Sequence, residues 1–128
     1  MESSAKEPQS FLPLTPVVFH ILMALSRENR HGYAIIKDVE ASTEGRVIIQ
    51  TGTLYQAIKR LLDVSMIHSV ESKVDPELDD ERRRYYALSG LGMKVLAEEV
   101  LRLERMVNLA RANQILGPGK VGLLLQKS

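Results

Sequence analysis

Thr51-Gly52-Thr53-Leu54-Tyr55-Gln56-Ala57-Ile58-Lys59-Arg60-Leu61-Leu62-Asp63-Val64 sets its apolar residues Leu54, Ala57, Ile58, Leu61 and Leu62 at spacings of three and four. That period gathers side chains on one face of an α-helix. The stretch therefore reads as a helix over 51–64, capped by Thr51, with the apolar face buried. The opposite face follows from geometry: at about 100° per residue, Gly52, Gln56, Lys59 and Asp63 point outward, with Thr53, Tyr55 and Arg60 on the flanks. A helix laid in a nucleic-acid groove needs such a face. Gly52 and Thr53 permit close approach, the Gln56 amide can read a base edge, and Lys59 and Arg60 can meet phosphates. Tyr55 fits equally well as a packing residue at the domain edge or as a phosphate contact.

Upstream, Thr15 can cap a helix and Pro16 suits its first position. The body of that helix, 17–25, is apolar nearly all round. Val18, Ile21, Leu22 and Leu25 make one stripe, while Phe19 and Met23 lie off it, so the helix needs cover on two sides. After the turn His31-Gly32, a second helix over 33–42 turns Ile35, Ile36 and Val39 inward, and Gly45 closes it. The β-branched stretch 46–50 is either a short strand or an extended connector. Residues 1–14 are a polar, flexible arm ending in the apolar Phe11-Leu12-Pro13-Leu14.

Downstream, 66–74 and 82–88 resemble two strands joined by the acidic connection Asp75-Pro76-Glu77-Leu78-Asp79-Asp80-Glu81. From a Ser89 cap a long helix runs to about Leu116, where Gly117-Pro118-Gly119 stops it. Met93, Leu96, Val100, Leu103, Val107 and Ala110 alternate spacings of three and four along it, a seam for another helix. Beyond that break, 120–128 is either disordered or tucked onto that assembly. The order is three helices, a hairpin and a seam-bearing helix. This is mainly α with a small β-hairpin: an arm (1–14), a winged helix-turn-helix (15–88), a dimerisation helix (89–116) and a tail (117–128).

Composition narrows the function classes. With 128 residues there is room for one domain and one accessory element, and a net charge of +1 gives no global pull toward nucleic acid. Zero cysteines exclude disulfides and thiolate chemistry. No run approaches the roughly 20 apolar residues of a membrane span, and the cytoplasm is the expected compartment. His20, His31 and His68 show no paired ligand spacing, so no metal is expected. The acids of 75–81 lack the glycine and terminal glutamate of a calcium loop and read as a solvated tip. Gly90-Leu91-Gly92 lacks the third glycine and the parallel-sheet context of a dinucleotide loop. No cofactor and no enzyme chemistry emerges.

Thr51 to Leu62 as quoted, together with His31-Gly32-Tyr33-Ala34-Ile35 and Arg84-Tyr85-Tyr86-Ala87-Leu88-Ser89-Gly90-Leu91-Gly92, resembles the signature of PadR-type transcriptional regulators. The resemblance spans about residues 12–116. It implies a repressor that binds double-stranded DNA at an inverted repeat, released in some members by a small molecule. It also implies a homodimer formed by the long last helix, partly against the first helix of the other subunit. On that basis the DNA-contacting set is Tyr33, Thr51, Gly52, Thr53, Tyr55, Gln56, Lys59, Arg60, Lys73, Arg82 and Arg83. The dimer set is Phe19, Met23, Met93, Leu96, Val100, Leu103, Val107 and Ala110.

Two departures stand out. Gln56 replaces the proline that usually follows the tyrosine, which predicts a different base preference. Ser65-Met66 replaces a glycine-leucine pair: either serine adopts positive φ there, at a cost of about 1 kcal/mol, or the turn shifts. An effector site would lack an aromatic platform, since there is no Trp and the last helix has no Phe or Tyr. Aliphatic and Met side chains could still line one. The competing reading of the fold is a module that binds a protein partner through the same basic helix. The run Arg82-Arg83-Arg84 likewise serves either as a phosphate clamp or as the salt-bridged partner of the acids before it.

Overall fold

A computed structural model describes residues 7–71 and 84–116. Lys73, Arg82, Arg83, the acidic connection 75–81 and the tail 117–128 lie outside them. Helix α1 (Pro16–Arg27) starts as its sequence requires, the Thr15 hydroxyl accepting from the Val18 N–H at 3.2 Å and Pro16 taking a position that needs no donor. It buries Ile21, Leu22, Ala24 and Leu25. Ile21 and Leu22 are wholly buried, each contributing on the order of 1.5–3 kcal/mol of hydrophobic stabilisation.

Between α1 and α2 (Gly32–Ser42) the chain forms a two-residue strand, β1 (Arg30–His31), where the sequence suggests only a polar exit and a turn. The strand exists because a distant one receives it: Arg30 pairs with Tyr86 and His31 with Tyr85, antiparallel. Arg30 also donates through Nε to the Ala24 carbonyl at 2.9 Å and forms an ion pair with Asp38 at 3.3 Å. Arg27 joins the same carboxylate. The end of α1 is thereby tied to α2, whose first turn is capped by His31 Nδ1 accepting from the Ala34 N–H at 3.1 Å.

Glu44 and Gly45 take left-handed backbone to end α2, and residues 46–50 are an extended connector without strand pairing. Ile49 is buried there and Ile48 exposed. Helix α3 (Thr51–Asp63) follows, with Gln50 rather than Thr51 at the cap position. It buries Leu54, Ala57, Ile58 and Leu61, the stripe expected from their spacing.

At the end of α3, Ser65 has φ 64°. Its N–H donates to the Leu62 carbonyl at 3.1 Å and the Met66 N–H donates to the Leu61 carbonyl at 2.9 Å. This double bond pattern closes a helix on a left-handed residue. The turn is unshifted, with serine where glycine would be relaxed. Strands β2 (Ile67–Glu71) and β3 (Arg84–Leu88) pair antiparallel from Ile67↔Leu88 to Glu71↔Arg84, and β1 lies on the other side of β3.

Helix α4 (Gly90–Ala112) begins on this junction. The Ser89 hydroxyl donates to the Ser65 carbonyl at 2.6 Å and accepts from the Gly92 N–H at 3.0 Å. Gly92 lies against the backbone of Met66, where a side chain would strike the carbonyl oxygen. The helix ends at Ala112, before the expected Leu116, because Gln114 turns left-handed (φ 62°) and the Ile115 N–H closes on the Ala110 carbonyl at 2.9 Å.

The amino-terminal segment departs from the loose arm that its sequence suggests. Pro8–Phe11 forms a 3-10 turn that packs on α4, and Phe11, Leu12 and Leu14 rest on the core. The core itself joins all four helices to Met66, Ile67 and Tyr86. Leu96 belongs to it: at 4% exposure it has almost no surface left for a second subunit. The proposed seam loses that member, because α4 packs on the protomer's own α1 and on the Pro8–Phe11 turn.

Candidate nucleic-acid interface

The outward face of α3 is open along its length. Thr51, Gly52, Thr53, Gln56, Lys59 and Arg60 are all exposed, and a side chain at Gly52 would meet nothing within 4 Å. Gln50 makes no side-chain bond to the first turn, and Thr51, Gly52 and Thr53, which carry the leading amides at the positive end of the helix dipole, are exposed. The start of the helix offers N–H donors, its middle an amide, and its later turns two cations. That sequence of groups suits contact first with a phosphate or base edge and then with the flanking backbone.

Three elements hold α3 at this pitch: β2, which follows through the Ser65 turn, α2 and α1. The α2 contact includes Tyr55, whose half-buried ring lies over Gly32, where an added methyl would come within 2.8 Å of Tyr55 Cζ. The packing role is therefore real for Tyr55, and Gly32 is the residue that permits it. Tyr33, next in the chain, is 61% exposed and carries Lys37 Nζ 5.4 Å from its ring centroid, within the range of a cation–π contact. Lys37 was absent from the sequence-based set, although its spacing of four from Tyr33 signals a shared helix face.

In the wing, the described residues with outward side chains are His68, Ser69, Val70, Glu71 and Arg84. Glu71 and Arg84 are cross-strand partners at the tip of the described ladder, an opposite-charge pairing that steadies its strands. Arg84 is a second cation that the sequence-based set omitted. Among the described residues no three His, Asp or Glu side chains converge to hold a metal, and no helix is long and apolar enough to cross a membrane.

The other surface of note is apolar. Met23 of α1 and Met93, Val100 and Val107 of α4 are exposed, with Leu103 and Ala110 half-buried and Phe19 partly buried against the core. Beyond Glu99 the helix also exposes Leu101, Met106 and Leu109, the last at 62%. The spacing-based seam missed these three because they lie off its stripe.

Residues 21–98 match the model of the transcriptional regulator PadR-like family. A transcriptional regulator from Clostridium thermocellum is 26% identical, covering 75% of this chain and 90% of that one at a TM-score of 0.63. A PadR family transcription regulator from Clostridium difficile R20291 is 25% identical, covering 80% and 100% at a TM-score of 0.64. The adhesin competence repressor of Streptococcus pyogenes, 22% identical, shares the fold over 91% of this chain and 75% of its own at a TM-score of 0.60. The chain has no match among curated proteins.

Proposed function

The chain belongs to the PadR-like family of transcriptional regulators, and on that premise we propose that it is a sequence-specific repressor that binds an inverted-repeat operator as a homodimer. The observation that carries this reading is the exposed face of α3, with Gln56, Lys59 and Arg60 on a helix whose other face is wholly committed to the core. A major groove about 12 Å wide admits one such helix. In it, Gln56 reads a base edge while Lys59, Arg60 and the wing cations neutralise phosphates. Tyr33 and Lys37 extend the contact from α2. A second copy covers Met23, Met93, Val100, Leu103 and Val107, and the two recognition helices then meet half-sites about one helical turn apart.

Genome-wide mapping of bound DNA supplies the operator, and gel-shift titration at several salt concentrations tests the contacts. Lys59→Ala and Arg60→Ala weaken binding to all sequences alike and flatten the log-affinity against log-salt slope by roughly 0.9 per lost phosphate contact. An unchanged slope refutes the phosphate role of these cations. Absence of any specific DNA favours the reading of the basic helix as a protein-binding surface.

A further inference from the structure

Glu99 is the one charged side chain buried among the described residues, at 2% exposure. Three donors converge on its carboxylate. Arg102 donates through Nε to Oε1 at 2.6 Å and through Nη2 to Oε2 at 3.0 Å, and the Leu14 N–H donates to Oε2 at 3.0 Å. The Arg102 bonds hold the carboxyl below its usual pKa even though burial opposes ionisation. An apolar side chain would fill this place at far lower desolvation cost, since a buried carboxylate is tolerated only when fully partnered. Packing alone therefore does not account for a glutamate here.

Its location gives it a task. Leu14 immediately precedes Thr15, the cap of α1, and Glu99 is the last buried residue of α4; from Val100 onward the helix leaves the body of the protomer. The bond joins the start of one helix to the point of departure of the other, with Phe11, Leu12 and Leu14 packed beside it. Arg102, one turn further along, is held over the same carboxylate and also reaches Met106 Sδ at 3.2 Å. The exposed apolar residues of α1 and α4 lie on the two elements so joined.

We propose that Glu99 is a positioning residue for dimer formation: by fixing the start of α1 to the exit of α4, it sets the angle at which Met23 and the Val100–Val107 face meet a second copy. This rests on the dimeric reading above. The test uses the full-length chain and its Glu99→Ala and Glu99→Gln variants, with sedimentation equilibrium for association, circular dichroism for folding and amide exchange at Leu14. Glu99→Ala raises the dimer dissociation constant about tenfold, the scale of one lost charge-assisted hydrogen bond, and speeds Leu14 exchange relative to Ile35. Glu99→Gln keeps an acceptor for the Leu14 N–H but loses the ion pair, and falls between. Should Glu99→Ala fail to fold, Glu99→Gln decides alone through its dissociation constant. A dimeric wild type whose folded variants associate within about twofold of it overturns the positioning role and leaves the dimer intact. Unchanged Leu14 exchange in a folded Glu99→Ala overturns it as well. A wild type that is monomeric throughout overturns both readings.

Discussion

Replacing Ser65 with glycine should stabilise this protein, an uncommon direction for a point change. Ser65 holds φ 64°, where the β-carbon of an L-residue costs about 1–2 kcal/mol that glycine avoids. Glycine in turn loses more chain entropy on folding, about 0.5–1 kcal/mol. The difference favours glycine by about 0.5–1 kcal/mol. Little else changes, because the contacts of this residue are made by its backbone: the N–H to the Leu62 carbonyl and the carbonyl to the Ser89 hydroxyl. The side chain is exposed. For a chain of 128 residues the gain corresponds to a rise of about 1–5 °C in Tm. The assay is thermal melting by circular dichroism at one fixed protein concentration, since association shifts apparent stability. Ser65→Ala is the control, because it keeps the β-carbon and should not rise. A Ser65→Gly variant no more stable than wild type would show that the strain is not there.

Gln56→Ala should relax base preference by about 1–3 kcal/mol at one operator position while leaving the salt slope unchanged, as randomised-site selection and titration will show. Recovery of the same motif by both proteins would remove Gln56 as a reader. Val107→Glu places an unpaired carboxylate in the proposed seam and should cost several kcal/mol of association with little effect on the protomer, because Val107 is exposed there. Light scattering that still reports a dimer would move the interface elsewhere. The lowered carboxyl of Glu99 contributes stability that is present above the usual value of 4.5 and lost as pH falls through and below it. The difference in Tm between wild type and Glu99→Gln should therefore shrink below about pH 4.5, and a constant difference would argue against an ionised, partnered carboxylate.

The elements legible in the sequence were those made by neighbours along the chain. Spacings of three and four gave α3 and its open face, Thr15-Pro16 gave the start of α1, and Ser89 gave the start of α4. The departure at Ser65 located a strained turn for the same reason, since the conformation that a helix end demands is local. Other features depended on partners far away in the chain. β1 exists only because β3 lies beside it, and Tyr55 is a packing residue only because Gly32 leaves room for its ring. Leu96 and Glu99 illustrate the limit most clearly. Periodicity assigned Leu96 to a partner subunit, but α4 lies against α1 and Leu96 falls within the protomer core. Hydropathy assigns a glutamate to solvent, yet the docked segment 7–14 brings a backbone donor across 85 positions to Glu99. Periodicity reports which residues share a face; what that face meets is decided by chain segments that approach only when the whole molecule has folded.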